Sequence, residues 1–249
     1  MPLQSLSLQL YSVRNALEED VSTTIARVAE IGFTQVEASY KVLLRDIGLL
    51  EAIRANNLTS PTMTSPLLDI DLDAVFSTAK ELGAHTVIET VVREEHWTSP
   101  ESVAQVADQL NAAAEKAADY DLRVAYHNHW WELEHRFDGR TALETLTDHL
   151  RPEVLLEVDA YWVAVGGEDV LALLGRQSDR VRFLHLKDGP ITRENTEQLP
   201  AGRGAMPLTE IIEATPNLEV GVIEFDDYAG DVFEAVAASF AYLNPEVPA

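Results

Sequence analysis

Three apolar runs in the second half of the chain end in polar side chains. These side chains could bind a metal ion or carry a proton. Asp159 follows the run 154–158, and Glu224 follows a further apolar run and precedes an acidic loop. His185 and Lys187 alternate with apolar residues, so they would share one face of a strand. If these runs are parallel strands of one sheet, the side chains meet at one edge. Mixed carboxylate and imidazole ligands there suit a divalent cation.

The segment 126–132, Tyr-His-Asn-His-Trp-Trp-Glu, adds three candidates. Alternation places His127 and His129 on one face of a strand, and Glu132 follows a few residues later. Taken singly, such residues are more often helix caps or packed core histidines. Taken together on four successive strands, they indicate a metal site, to which this segment contributes either a histidine or the glutamate. Because the chain has no cysteine, the ligands would be nitrogen and oxygen atoms, which suit Mn²⁺, Co²⁺, Fe²⁺, Zn²⁺ or Mg²⁺.

A site of this kind supports proton removal from carbon. A divalent ion bound to a carbonyl and a neighbouring hydroxyl stabilises the enediolate that forms when the adjacent C–H proton leaves. A carboxylate or imidazole within reach can take that proton and return it elsewhere.

Eight predicted strands alternate along the chain with eight predicted helices. This pattern predicts an α/β fold, the (β/α)₈ TIM barrel, as a single domain over residues 1–249. The predicted strands are 6–10, 35–38, 58–63, 86–89, 123–127, 154–158, 181–186 and 220–225. The predicted helices are 22–31, 46–56, 72–82, 99–120, 141–150, 169–174, 208–214 and 232–243. A doubly wound sheet is the alternative, but the turn after the first strand lacks the glycines that cradle a dinucleotide.

Composition narrows the class of partner. The 249 residues are 46% hydrophobic and carry a net charge of −24, which repels a phosphate backbone and disfavours nucleic acid. No apolar run approaches the roughly 20 residues that span a bilayer, and no secretion signal is visible at the N-terminus. We therefore expect a cytoplasmic protein without membrane partners, which could form a homo-oligomer or act as a partner subunit.

Over nearly its whole length the chain resembles the sugar phosphate isomerase/epimerase family of xylose isomerase-like barrels. The resemblance rests on the order and placement of several motifs: Tyr126-His127-Asn128-His129 with Glu132, Asp159-Ala160-Tyr161-Trp162, His185-Leu186-Lys187-Asp188, Gly202-Arg203-Gly204 and Glu224-Phe225-Asp226.

The resemblance implies metal ligands on strands five to eight. Asp159, His185 and Glu224 carry over directly, and we expect Glu132 as the fourth ligand because a hard cation favours oxygen. His127 is the alternative in that place. Mn²⁺ is the first expectation for the metal, with Co²⁺, Mg²⁺, Zn²⁺ or Fe²⁺ as alternatives. Relatives that epimerise sugars use two metal-bound glutamates as proton carriers, which here would be Glu132 and Glu224; His127, His129 and Lys187 are further candidates.

The implied activity is that of a metal-dependent sugar isomerase or epimerase. The alternative is a lyase or dehydratase acting on an oxidised sugar, a keto-glycoside or an inosose, since elimination begins with the same proton removal. A non-catalytic sugar-binding or partner subunit is the alternative of another class. The abasic-site endonucleases that share this barrel fit poorly, because the chain has only 7 histidines and is strongly acidic.

Several other residues are predicted to contact the substrate. They are Gln9, Glu37 and Glu89 at the ends of strands one, two and four, Trp162 as a stacking surface, and Arg203 in a glycine-flanked loop. The net acidity argues against a phosphorylated substrate.

Overall fold

The computed structural model describes residues 5–45, 48–90 and 92–245. Eight parallel strands form a closed barrel in which each strand pairs with the next along the chain and the last pairs with the first. The strands are β1 Leu6–Gln9, β2 Gln35–Ser39, β3 Thr62–Thr64, β4 Thr86–Glu89, β5 Arg123–His127, β6 Leu155–Asp159, β7 Val181–His185 and β8 Val220–Ile223. The predicted TIM barrel is confirmed.

Helices surround the barrel and also cover parts of its C-terminal end. They are α1 Arg14–Glu19, α2 Val21–Ile31, α3 Tyr40–Leu43, α4 Leu49–Ala55, α5 Leu72–Leu82, α6 Pro100–Ala118, α7 Trp131–Glu134, α8 Ala142–His149, α9 Ala160–Val165, α10 Val170–Arg176, α11 Leu208–Glu213 and α12 Val232–Leu243, with 3₁₀ turns at Leu10–Val13, Glu94–Trp97 and Asn195–Glu197. An antiparallel pair, Arg136–Phe137 with Arg140–Thr141, lies outside the barrel. In the described part of the chain, no helix is both long enough and apolar enough to cross a membrane.

Most predicted boundaries agree with the structure to within two or three residues, and two differences are informative. The third strand was predicted at 58–63 but lies at Thr62–Thr64, because Pro61 has no N–H to donate to a neighbouring strand. The predicted helix 46–56 begins on residues 46 and 47, which lie outside the described residues, and α4 is described from Leu49. The short helical segments that directly follow β1, β2 and β6 were not predicted from the sequence.

The barrel interior changes from apolar to polar along the strands. A cluster of apolar side chains fills its lower part: Ile88, Ala125, Leu155, Phe183, Val220 and Val222. Alternation along β6 places Leu155, Glu157 and Asp159 on one face in ascending order. Charged residues therefore begin directly above the apolar plug, in a region from which water is largely excluded.

An arginine forms hydrogen bonds across the N-terminal end of the barrel. Arg123 at the start of β5 donates to both carboxylate oxygens of Glu219, which precedes β8, at 2.8 and 2.6 Å. Its Nε donates to Thr86 on β4 at 3.1 Å, and its guanidinium lies 5.8 Å from the ring centroid of Phe183. One side chain therefore connects strands on opposite sides of the barrel.

Replacing Glu219 by Gln is expected to lower the free energy of unfolding by about 0.5–1 kcal/mol near neutral pH, the range for a partly exposed ion pair. The hydrogen bonds from Arg123 lower the pKa of Glu219, whereas an unfolded glutamate has a pKa of about 4.3. The stabilisation is therefore present above that pH and is lost as the pH falls through the folded-state pKa.

The measurement is urea unfolding of wild type and Glu219→Gln at a series of pH values, with the exposed Glu213→Gln as control. A difference between wild type and Glu219→Gln that persists unchanged below about pH 3 would contradict the assignment to this ion pair.

Candidate metal centre

A cavity of about 350 Å³ opens at the C-terminal end of the barrel. Its lining comes from the ends of most of the strands and the segments after them: Gln9, Tyr11, Ser39, Lys41, Thr64, Thr90, His127, His129, His185, Glu224 and Asp226. The first half of the chain supplies mainly hydroxyl and amide groups, and the second half supplies imidazoles and carboxylates.

Imidazoles and carboxylates converge at the base of this cavity. One ligand atom each from His127, Asp159 and His185 can be chosen so that all lie within 4.8 Å of one another. His127 Nε2 is 3.9 Å from Asp159 Oδ2, and His185 Nδ1 is 2.8 Å from Glu224 Oε2. Ligands at about 2.0–2.2 Å from one ion lie about 3–4 Å from each other, so His127, Asp159 and His185 fit a divalent metal, and Glu224 adjoins this group beside His185.

The two oxygens of the aspartate in this group have different neighbours. Asp159 Oδ1 accepts the N–H of Trp162 at 2.9 Å as the N-cap of α9, whereas its buried Oδ2 faces the ammonium group of Lys187 at 2.9 Å. Asn128 exchanges two hydrogen bonds with the Asp159 backbone, at 3.1 and 3.3 Å. The segment after β5 thus fixes the end of β6 and leaves one carboxylate oxygen directed into the site.

A lysine already lies among the carboxylates. Lys187 Nζ is 2.9 Å from Asp159 Oδ2, 2.6 Å from Glu224 Oε2 and 2.7 Å from Asp226 Oδ2. Burial alone would lower the pKa of Lys187, but these three carboxylates raise it well above its usual value. Burial likewise opposes ionisation of Glu224, but Lys187 and His185 hold the pKa of that carboxyl well below its usual range. The lysine is therefore an ammonium group, and it favours the ionised form of Glu224.

A second group, Glu37, Glu157 and His185, lies beneath the first and shares its histidine. Glu37 Oε1 is 3.1 Å from His185 Nε2 and accepts from Gln9 Nε2 at 2.6 Å. Burial and the neighbouring Glu37 carboxylate raise the pKa of Glu157 to about 8. The sequence analysis missed Glu157. Its position two residues before Asp159 was the available signal, because residues two apart on a strand share a face.

Glu132, the expected fourth ligand, lies outside both groups. Its carboxylate accepts from the Tyr126 hydroxyl and from the His129 backbone N–H at 2.9 Å. The reason is that α7 begins at Trp131 and turns the Glu132 side chain back onto Tyr126 instead of into the cavity. The structure therefore brings His127, the alternative, to the other three expected ligands.

His129 lies at the edge of the cavity. Its ring stacks on Trp131, with centroids 4.3 Å apart and planes 11° apart. Its Nδ1 is buried, forms no hydrogen bond with the described residues and lies 3.8 Å from Glu132 Oε1, while 24% of the side chain is exposed. Stacking therefore holds this imidazole in position at the edge of the cavity.

The residues predicted to contact the substrate lie in different places relative to the cavity. Gln9 lines the cavity, and Glu37 is buried beneath it. Glu89 accepts the backbone N–H of Leu67 and does not line the cavity. Trp162 is buried, with its ring centroid 5.3 Å from Lys187 Nζ. Arg203 is exposed, and among the described residues its guanidinium has no hydrogen-bond or ion-pair partner.

The Gly202-Arg203-Gly204 motif has a structural role in this loop. Asp188 Oδ2 accepts the N–H groups of Gly202 and Gly204, both at 2.9 Å, and its Oδ1 accepts those of Gly189 and Met206 at 2.8 and 3.0 Å. A Cβ on residue 204 would lie 2.1 Å from Asp188 Oδ1. The second glycine is therefore required by the close approach of the loop to this carboxylate.

Sequence reasoning did not single out Tyr11, Ser39, Lys41, Thr64, Thr90 and Asp226, which also line the cavity. Each of these residues either ends a strand or lies within three residues after one. This position at the C-terminal end of a strand was the available signal in the sequence. Hydroxyl and lysine side chains are too common on loops to be distinguished by residue type alone.

The fold and the site together define a parallel β/α barrel with a candidate metal centre at the C-terminal ends of its later strands. A family model described as xylose isomerase-like TIM barrel matches residues 25–215. The chain belongs to this family.

Curated relatives match over part of the chain. An inosose dehydratase from Clostridium perfringens is 29% identical over 109 residues, which are 44% of this chain and 33% of the relative. The chain thus spans about a third of the length of the curated relatives it matches.

Solved structures match over nearly the whole chain. A sugar phosphate isomerase/epimerase from Parabacteroides distasonis has a TM-score of 0.82 at 19% identity, covering 96% of this chain and 93% of that one. The IOLI protein with a bound zinc atom has a TM-score of 0.70 at 14% identity, covering 98% and 99%. At these identities the likeness shows the fold.

Replacing Asp188 by Asn is expected to lower the free energy of unfolding by at least about 2 kcal/mol, because an amide NH₂ would face backbone N–H donors and leave them unsatisfied. Gly204→Ala is expected to destabilise similarly through the clash with Asp188. Chemical unfolding measures both. Asp227→Asn is the control, since its exposed carboxylate accepts only the adjacent N–H of Tyr228. Equal stability of the Asp188 and Asp227 variants would contradict this role of Asp188.

Proposed function

We propose that this protein is a divalent-metal-dependent enzyme that removes a proton from the carbon next to a carbonyl in a sugar or an oxidised sugar. The observation that carries the proposal is the convergence of His127, Asp159, His185 and Glu224 at the mouth of the barrel. These side chains are between 0% and 8% exposed, which is unusual for charged groups unless they are paired or bind a metal.

His127, Asp159, His185 and Glu224 would hold the metal. When bound, the ion would polarise the substrate carbonyl and so make the adjacent C–H more acidic. Imidazole and carboxylate ligands suit Mn²⁺ and Zn²⁺ alike, and the structurally similar IOLI protein has zinc bound. These two ions are the first to test, with Mn²⁺ as the first expectation.

His129 is the proton carrier that the geometry favours. Its ring lines the cavity and is held by stacking on Trp131, and an imidazole can take up a proton and return it. Glu224 is a weaker base, because Lys187 and His185 hold its pKa well below the usual range. Lys187 would orient Asp159 and Glu224 through its ion pairs with them and keep Glu224 ionised.

Two outcomes share this proton removal. Return of the proton to the neighbouring carbon gives isomerisation, return to the opposite face of the same carbon gives epimerisation, and loss of a neighbouring hydroxyl as water gives elimination. Epimerisation by two opposed glutamates would need Glu132 in the cavity, whereas its carboxylate contacts Tyr126. This displacement, together with the inosose dehydratases among the relatives, makes a lyase acting on an oxidised sugar the second candidate.

The metal assignment is tested by elemental analysis and by Zn²⁺ and Mn²⁺ affinity of purified wild type, His127→Ala and Glu132→Gln. Loss of an imidazole ligand is expected to weaken binding at least about tenfold, whereas Glu132→Gln is expected to retain the metal. Wild type that binds neither ion would overturn the proposal. If Glu132→Gln loses the metal and His127→Ala retains it, then Glu132 is the fourth ligand and His127 is not.

The reaction is tested by incubating the metal-loaded protein with keto-sugars and inososes in D₂O. Proton removal predicts deuterium at the carbon next to the carbonyl, and a lyase also releases water and forms an unsaturated ketone with ultraviolet absorbance. His129→Ala is expected to slow exchange by about 10²–10⁴-fold while the metal content stays unchanged. Exchange at the wild-type rate in this variant would exclude His129 as the proton carrier.

A further inference from the structure

We propose that Glu157 is a positioning residue that accepts one N–H from each imidazole of the cluster, so that His127 and His185 hold opposite tautomers. His127 would carry its hydrogen on Nδ1 and His185 on Nε2. This leaves His127 Nε2 and His185 Nδ1 as the metal-binding atoms. The inference deepens the proposed function and depends on it for the metal.

A single oxygen faces both rings. Glu157 Oε2 is 3.0 Å from His127 Nδ1 and 3.1 Å from His185 Nε2. Both distances lie within hydrogen-bonding range, and His185 Nε2 shares its N–H between Glu157 and Glu37 Oε1. One acceptor thus meets different nitrogens of the two rings, and this difference requires opposite tautomers when both rings donate to it.

The remaining nitrogens face the cavity. His185 Nδ1 is 2.8 Å from Glu224 Oε2, and His127 Nε2 is 3.9 Å from Asp159 Oδ2. These are the two carboxylates expected to bind the metal. Each ring therefore presents one nitrogen to the carboxylate beneath and one to the ligands above.

Strand register explains why one residue can reach both histidines. β6 lies between β5 and β7, and His127 is directly opposite Glu157 across the β5–β6 pair. Across the β6–β7 pair, His185 is opposite Asp159, two residues above Glu157 on the same face. The two carboxylates of β6 therefore lie between the histidines, one below the metal-binding atoms and one beside them.

The two histidines depend on Glu157 to different degrees. His185 Nε2 also lies 3.1 Å from Glu37 Oε1, so it has a second acceptor. Among the described residues, His127 Nδ1 has Glu157 alone. Loss of the Glu157 acceptor should therefore release His127 first.

Carboxylates that accept the distal N–H of a ligating histidine fix its tautomer and raise its basicity, and their loss typically costs 10–100-fold in metal affinity. Glu157→Met removes the acceptor at similar volume and is expected to weaken Zn²⁺ binding by about 10–100-fold. Glu157→Gln keeps a carbonyl oxygen that can accept both N–H groups, so its loss should be clearly smaller. Glu144→Met is the matched control, because Glu144 is a buried carboxylate that caps α8 away from the site.

The experiment combines two readouts on full-length, Zn²⁺-loaded protein. Chelator competition gives the Zn²⁺ affinity of wild type and the three variants. Two-bond ¹H–¹⁵N spectra of histidine-labelled wild type give the tautomers directly, and they need no variant to fold. We expect hydrogen on Nδ1 of His127 and on Nε2 of His185, with affinity decreasing from wild type through Gln to Met.

The same tautomer for both histidines would overturn the inference while leaving the metal site standing. Wild-type affinity in folded Glu157→Met, or a Gln variant as weak as the Met variant, would also overturn it. If Glu157→Met does not fold, the inference is tested by the wild-type spectra and by the Zn²⁺ affinity of Glu157→Gln. Absence of Zn²⁺ binding by wild type would overturn both this inference and the proposed function.

Discussion

Burial of charge inside the closed barrel is the constraint on which the rest of the site depends. Side-chain alternation in eight tilted strands directs seven ionisable groups inward above an apolar plug: Glu37, His127, Glu157, Asp159, His185, Lys187 and Glu224. An unpaired charge in such a place would cost several kcal/mol. The groups are tolerated because cations and carboxylates alternate in space, with Lys187 among three carboxylates and His185 between Glu157 and Glu224.

The ion pairs of Lys187 with Asp159 and Glu224 also explain how the ligands can be in position before a metal binds. Lys187 supplies positive charge beside Asp159 and Glu224, which offsets the repulsion between these two neighbouring carboxylates. Asn128 and the α9 cap fix the Asp159 backbone and one of its oxygens. An entering ion would then meet ligands already in position, and little ordering entropy would remain to oppose binding.

Much of this arrangement could be predicted from the sequence. Eight apolar runs separated by amphipathic segments specify the barrel, and Asp159, His185 and Glu224 lie at the mouth because each ends such a run. Glu132 shows what pattern reading misses: a helical turn beginning at Trp131 reverses the side-chain direction, and no periodicity in 126–132 reveals it. Glu157 was missed for a different reason, because a glutamate inside a strand gives no sign of its partners until β5 and β7 are placed beside it. Arg203 was predicted as a substrate contact because glycines flank it, but these glycines donate their N–H groups to Asp188.

The uneven lining of the cavity has an evolutionary consequence. Nearly all the ionisable groups at its base belong to β5–β8, where each depends on its neighbours' charge, so a single replacement disturbs the whole set. The opposite wall, with Tyr11, Ser39, Lys41, Thr64 and Thr90, consists of hydroxyl groups and one lysine at strand ends and in the segments that follow them. A replacement in that wall leaves the charge pairing of β5–β8 in place. Changes there can therefore alter the shape of the cavity without loss of its ionisable groups, which gives one barrel a route to new substrates.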